Sequence, residues 1–362
     1  VLLFVLVIIL VGIIVLGRVQ TNDYAITPGT STPVAPLVKI DGVKTNPHDD
    51  HILLTDVYLS TLTAWQWITE HFQSHVQFVP ADELVEPGVS TSELDAQGYL
   101  EMSDAKQAAE VAAFRALGWT IPATPSGTVI TGVVAPSPAN TAGLSVGDEI
   151  VGVNSSAIDS DCGLVDTIHN LAPGTTVTLK VDRVKISKVG VLSYESTTSL
   201  IKVTTAAVPT GLGDSGCPGV TGVNRSWLGV SLEDGFRTPL PATVNIDTAD
   251  IGGPSAGLAM TLTMINKLSS GSLTGHHIVA ATGTMAMNGQ VGAVGGVEEK
   301  AVAVHRAGAT YFIVPDGGGN VEAARAADQP DLTILPVSSL KQALQDLRRL
   351  GGVEPVALSK PS

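Results

Sequence analysis

The chain has 362 residues, of which 44% are hydrophobic, and a formal net charge of −14. That length predicts two or three compact units, and the apolar share is ample for real cores. The acidic balance argues against nucleic acid as a partner. No G-x-x-x-x-G-K-[ST] loop, no H-E-x-x-H and no cysteine pair at metal-ligand spacing occurs, so neither a metal nor a cofactor is expected.

Residues 1–16 are an unbroken apolar run, followed by Gly17 and Arg18. A membrane span needs about 20 such residues. The chain opens without methionine, and residues before Val1 are expected to complete the span. A cleaved signal peptide is the competing reading, but no small-x-small site follows Arg18. A retained transmembrane anchor over residues 1–17 is therefore expected. It makes the protein a single-pass cell-membrane protein, with its other units outside the cytoplasm.

Residues 18–115 are expected to form an extracytoplasmic stalk and an N-terminal α/β segment. Residues 24–41 are rich in Pro and Thr and read as extended. Residues 52–59 have strand character, and residues 63–71 and 102–117 read as helices.

Residues 128–134 read as a strand. They lead into the run Ala142-Gly143-Leu144-Ser145-Val146-Gly147-Asp148-Glu149-Ile150-Val151-Gly152-Val153-Asn154. This A-G-L-x-x-G-D-x-I-x-x-V-N pattern resembles a PDZ domain of the bacterial protease type, covering residues 116–207. The resemblance implies a PDZ-like β-barrel that binds an extended peptide along a sheet edge. Residues 161–171 would be its groove helix, and the strand at 128–134 would pair with the ligand. Leu117, Gly118, Trp119 and Thr120 are the candidate peptide-binding loop, unless Gly118 simply ends the preceding helix. An inserted hairpin is expected at 184–198 and a Gly/Pro-rich linker at 208–224. Cys162 and Cys217 could pair in an oxidising compartment or remain free.

Residues 227–232 read as the strand that opens the last unit, 225–350. Within it, Ile251-Gly252-Gly253-Pro254-Ser255-Ala256-Gly257 places a serine where an extended segment turns into a helix. Pro254 suits a first helical turn, whose N–H is not needed there. Neighbouring backbone N–H groups then flank the hydroxyl, which makes a nucleophile beside an oxyanion hole. Lys300 follows after 300 − 255 = 45 residues, at the end of a glycine-framed apolar segment, with Thr282-Gly283-Thr284 between them.

Together these motifs resemble the Lon-type serine–lysine protease domain, over about residues 226–350. The resemblance implies an α+β fold in which Ser255 is the nucleophile and Lys300 the general base. Thr282 would hydrogen-bond the lysine, and Gly253, Pro254 and Ala256 would support the oxyanion. ATP-dependent Lon enzymes usually carry an acidic residue where Gly252 stands. The I-G-G-P-S-A-G form is instead similar to the membrane-anchored PDZ–Lon proteases. Lysine normally titrates near 10.4, so a lysine base needs burial. Glu298 and Glu299 would oppose that, and both are expected to point to water. The tail, 351–362, is expected to be disordered.

The whole therefore reads as a membrane-anchored, ATP-independent serine endopeptidase. Its partners would be protein or peptide substrates with exposed termini, and a homo-oligomer is left open. The alternative is a PDZ-based binding or regulatory protein with the Lon unit as scaffold.

Overall fold

A computed structural model describes residues 2–46, 51–84, 91–186, 192–195, 197–210, 216–218 and 225–359. The first element is the apolar helix α1 (Leu2–Leu16), whose described large side chains are mostly exposed. Among the described residues no helix is long and apolar enough to cross a membrane. The 15 residues of α1 span about 22 Å at 1.5 Å each, against a hydrocarbon core of about 30 Å. The expected anchor over 1–17 is not supported as a complete span.

After α1 come β1 (Gln20–Pro33), β2 (Ile52–Thr63), α2 (Ala64–Glu70) and β3 (Gln77–Pro80). The long helix α3 (Thr91–Ala116) follows, beginning eleven residues before its expected start at 102. Then come β4 (Thr124–Val133), β5 (Glu149–Val153), α4 (Asp161–His169), β6 (Thr176–Asp182), β7 (Ser199–Thr204) and β8 (Val230–Arg237). The chain closes with α5 (Gly257–Leu268), β9 (Val279–Ala281), α6 (Val297–Arg306), β10 (Tyr311–Pro315), β11 (Thr333–Val337) and α7 (Leu340–Arg349).

One six-stranded sheet runs β11-β10-β9-β2-β1-β3. β11, β10, β9 and β2 are parallel, with Ile52 opposite Val279. β1 and β3 add an antiparallel half. Segment 18–115 is therefore not a stalk standing apart from the last unit: it supplies three of the six strands. The Pro- and Thr-rich stretch sits in the ladder because its register shifts between Pro28 and Ser31, and a bulge tolerates a proline that cannot donate. Ile52, Leu53 and Leu54 are all buried, as a strand covered on both faces requires. Helices α3 and α5 pack together in the largest core, with Phe114, Met260 and Leu262 fully enclosed.

A second sheet runs β7-β6-β5-β4-β8 and encloses its own core of Ile130, Ile150, Leu164 and Leu179. β8, expected to open the protease unit, pairs antiparallel with β4 from Val230 opposite Val133 to Arg237 opposite Thr124. The second sheet unit is thus inserted into the first, and the chain returns to the first after β8. Of the expected linker at 208–224, only 208–210 and 216–218 are among the described residues. In the expected hairpin, Val184–Ile186 pairs antiparallel with Leu192–Tyr194, and the turn between lies outside the described residues. The described tail is not disordered. Val353 N–H donates to Ser272 O at 3.0 Å, and Leu358 N–H to Leu268 O at 2.9 Å.

Candidate active site and peptide groove

The serine turn is built by conformation before side chains enter. Gly253 takes φ +83°, a backbone state that disfavours a side chain, and Pro254–Ala256 makes one tight turn before α5 begins at Gly257. Gly257 must be small, since a Cβ there would lie 2.9 Å from the Met285 backbone nitrogen. The turn is pinned to the sheet by Gly283 N–H donating to Ser255 O at 2.9 Å and by Leu258 N–H donating to Gly283 O at 3.1 Å.

Lys300 lies one turn into α6, which starts at the left-handed Gly296, and is 3% exposed. Its Nζ donates to Ser255 Oγ at 2.9 Å and to Thr282 Oγ1 at 3.4 Å. Thr282 Oγ1 donates in turn to Ser255 O at 3.2 Å. The structure thus brings Ser255, Lys300 and Thr282 together. Burial pushes the lysine down to about 8, while the charges of Asp56 and Glu299 pull the other way. Such a lysine is substantially neutral just above neutral pH, and it lies within reach of the proton that a serine nucleophile must lose.

Three site features were not foreseen. Gly253 N–H donates to Gly98 O on α3 at 2.7 Å, so it is not available to an oxyanion in this structure. Pro254 has no N–H, and the donors of the turn narrow to Ser255 and Ala256. Glu299 is 3% exposed rather than facing water, and its carboxyl is pushed up mainly by burial. Glu298 does reach the surface, where His75 Nδ1 lies 3.0 Å from its Oε1. Asp56, whose charge opposes the shift of Lys300, sits on β2 and accepts from Thr30 N–H at 2.6 Å. No motif around Gly98 or Asp56 marks them in the sequence, because each acts through a long-range approach.

The proposed peptide loop is misplaced. Leu117 and Trp119 are buried in the α3–α5 core, where Trp119 stands edge-on to Phe114 at 5.4 Å. Gly118, at φ +93°, follows the end of α3, and Thr120 is exposed. The helix-ending role therefore accounts for Gly118. The strand expected to pair with a ligand, β4, is flanked by β5 and β8. Of the two strands that end this order, β7 and β8, it is β8 that runs beside α4. A groove of about 220 Å³ lies between its first half and α4, lined by Leu164, Val165, Ile168, Trp227, Leu228 and Val230. Gly229, at φ +85°, turns the chain into β8. The Cys162–Cys217 disulfide ties the first turn of α4 to residue 217 at this groove.

A second cavity of about 700 Å³ joins the two units. Its walls are α3, the second half of β8, Pro254 and residues 284–288. Asp104 of α3 and Glu233 of β8 face each other across it. Burial, and then the Glu233 charge and hydrogen bond, push the Asp104 carboxyl up to about 8. Gln107 Nε2 donates to Phe236 O and Thr238 Oγ1, both at 3.2 Å.

Residues 248–348 match the family model for the Lon protease (S16) C-terminal proteolytic domain, and residues 88–200 match the model for a PDZ domain. A Lon protease of Clostridioides difficile is 46% identical over 63 residues, which are 17% of this chain and 8% of that protein. A Lon protease of Chloroflexus aggregans is 33% identical over 93 residues, 25% of this chain and 11% of that protein. A Lon protease 1 of Bacillus subtilis is 33% identical over 94 residues, 26% and 12% of the two chains. The matched segments thus span about a tenth of these relatives' lengths. Residues 248–348 carry a Lon-type proteolytic domain, of the serine endopeptidase class, in one chain with a PDZ domain.

Proposed function

We propose that the chain is an ATP-independent serine endopeptidase that cuts protein substrates held by its PDZ groove. The observation that carries this reading is the 2.9 Å contact from Lys300 Nζ to Ser255 Oγ, made by a buried lysine held near 8. Neutral Lys300 takes the Ser255 proton as the hydroxyl oxygen attacks a peptide carbonyl. The N–H groups of Ser255 and Ala256 stabilise the oxyanion. Lys300 then gives its proton to the leaving amine, and water hydrolyses the acyl-serine, returning the hydroxyl. Thr282 positions the ammonium and the turn together.

The absence of a phosphate-binding loop within these 362 residues supports independence from ATP. Two observations support a protein seated at a membrane with its catalytic unit outside the cytoplasm. Helix α1 is apolar on every described face and exposed. The disulfide belongs in an oxidising compartment. Casein cleavage by the purified chain, with and without ATP and magnesium, tests the activity. Ser255→Ala and Lys300→Met should each lower turnover by at least about a thousandfold while circular dichroism stays unchanged, since such partners act as a unit. Turnover by Lys300→Met at the wild-type rate would overturn the assignment, and a several-fold stimulation by ATP would overturn the ATP independence.

A further inference from the structure

The PDZ unit is not loosely joined to the protease, because helix α3 touches both. At its start, Gly98 O accepts from Gly253 N–H beside the nucleophile, and Gly252 and Gly98 are in backbone contact. Ala96 and Leu100 pack on Val129 and Val146 of the PDZ unit. Further along, Asp104 meets Glu233, and Gln107 holds the end of β8. From Gly98 to Asp104 the helix advances six residues, about 9 Å. β8 therefore stands at a fixed place relative to Ser255.

The linings of the two cavities divide along β8. Residues up to Leu232 line the groove against α4, and residues from Glu233 to Arg237 line the cleft shared with Pro254. A peptide added to the open edge of β8 would continue from one cavity into the other. A PDZ domain takes an extended peptide by strand addition, and a backbone turn with a left-handed glycine suits a terminal carboxylate. Here that turn is Trp227-Leu228-Gly229, at the start of β8. A ligand paired antiparallel, with its carboxylate at this turn, has its upstream residues beside Glu233–Arg237. That is the half of the strand that faces the cleft walled by Pro254, the residue before Ser255.

We infer that this enzyme measures from the end of its substrate. A protein with a free C-terminal carboxylate is held at the Trp227–Gly229 turn, and the bond presented to Ser255 lies a constant number of residues upstream. The inference rests on the endopeptidase reading given above. At about 3.3 Å per extended residue, the eight residues of β8 from Val230 to Arg237 plus the cleft set that number at roughly 8–12 residues.

The test uses the full chain and a 30-residue peptide of repeated Ala, Val, Ser and Gly, so that local sequence favours no bond. Three forms are compared: the free acid, the free acid with three residues added at its C-terminus, and the C-terminal amide. A five-residue fluorogenic peptide reports the chemistry alone. Mass spectrometry of the first products should show the cut of the free acid within a window of about three residues. The extension should move that cut by three residues toward the new end. The amide should raise KM about tenfold or more and scatter the cuts. Cuts that stay at the same bonds after extension, or an amide cleaved like the acid, would overturn the measuring mechanism while leaving the endopeptidase intact. Failure to cleave either the long or the five-residue peptide would overturn the endopeptidase reading and this inference with it.

Discussion

At the scale of single residues, the proposed chemistry turns on one buried cation and one glycine. Lys300 is held near 8 in the fold and titrates near 10.4 when unfolded. The unfolded chain therefore binds more protons between pH 8 and about 10.4, and this group's contribution to stability rises with pH through that window. Below pH 8 the buried ammonium is a standing cost. Lys300→Met should raise stability at pH 7 by up to about 3 kcal/mol, less what is lost with the Ser255 and Thr282 contacts. Wild-type kcat/KM should climb with pH along a limb centred near 8. Equal urea midpoints for the two proteins at pH 7, or a flat rate between pH 6.5 and 9, would contradict this account of Lys300. Gly252 has an equally concrete role. A Cβ there would lie 3.2 Å from the Gly98 carbonyl carbon, so the acidic residue usual in ATP-dependent Lon enzymes would press on α3. Gly252→Asp is expected to cost about 1–3 kcal/mol and to lower activity with it, and Gly252→Ala to fall between. A Gly252→Asp protein with the wild-type melting temperature would show that α3 yields freely.

At the scale of elements, legibility in the sequence followed the range of the interactions. The turn around Ser255 and the helix carrying Lys300 are local features, framed by glycines whose backbone needs are visible in the motif. Their neighbours Gly98 and Asp56 were invisible, because the contacts that matter cross 155 and 244 positions, from 253 − 98 and 300 − 56. The strand expected at 227–232 is found as β8 from Val230 to Arg237 and in the other sheet, since alternation sets an element's type and not its bounds or partner. Trp119 misled for a similar reason: a Leu-Gly-Trp run after a helix fits a binding loop and a capped, buried helix end equally well. The α3–β8 contact also carries its own pH dependence. Asp104 holds its proton up to about 8 in the fold and loses it near 4 when unfolded. The contribution of this contact is therefore present at low pH and is lost as pH rises toward 8. Glu101 and Glu233 add to the repulsion once Asp104 ionises. Asp104→Asn should match the wild type near pH 4 and melt progressively higher from there to pH 9, by at least about 2–4 °C, the equivalent of about 1 kcal/mol or more. Superimposable melting curves at both pH values would show that the carboxyl pair does not hold the units together.

At the scale of the whole molecule, the protease sheet is written in two halves of the chain with a PDZ unit between them. Val279 of β9 pairs with Ile52 of β2, a separation of 279 − 52 = 227 residues. On a ribosome adding about 5–20 residues per second, β2 waits about 11–45 s for that neighbour. Throughout that interval one edge of a three-stranded fragment is unsatisfied, and such an edge invites pairing with other chains. The PDZ unit, whose strands are all made before the sheet can close, is free to fold during the wait. On the proposed mechanism, the same delay would keep nascent chains harmless to their surroundings. Ser255 and Lys300 emerge late, and the pocket that strips water from the lysine is completed by strands from both halves. A chain interrupted anywhere before β9 would present neither the dehydrated amine nor the pinned serine turn, so on the proposed mechanism cutting power waits for α6.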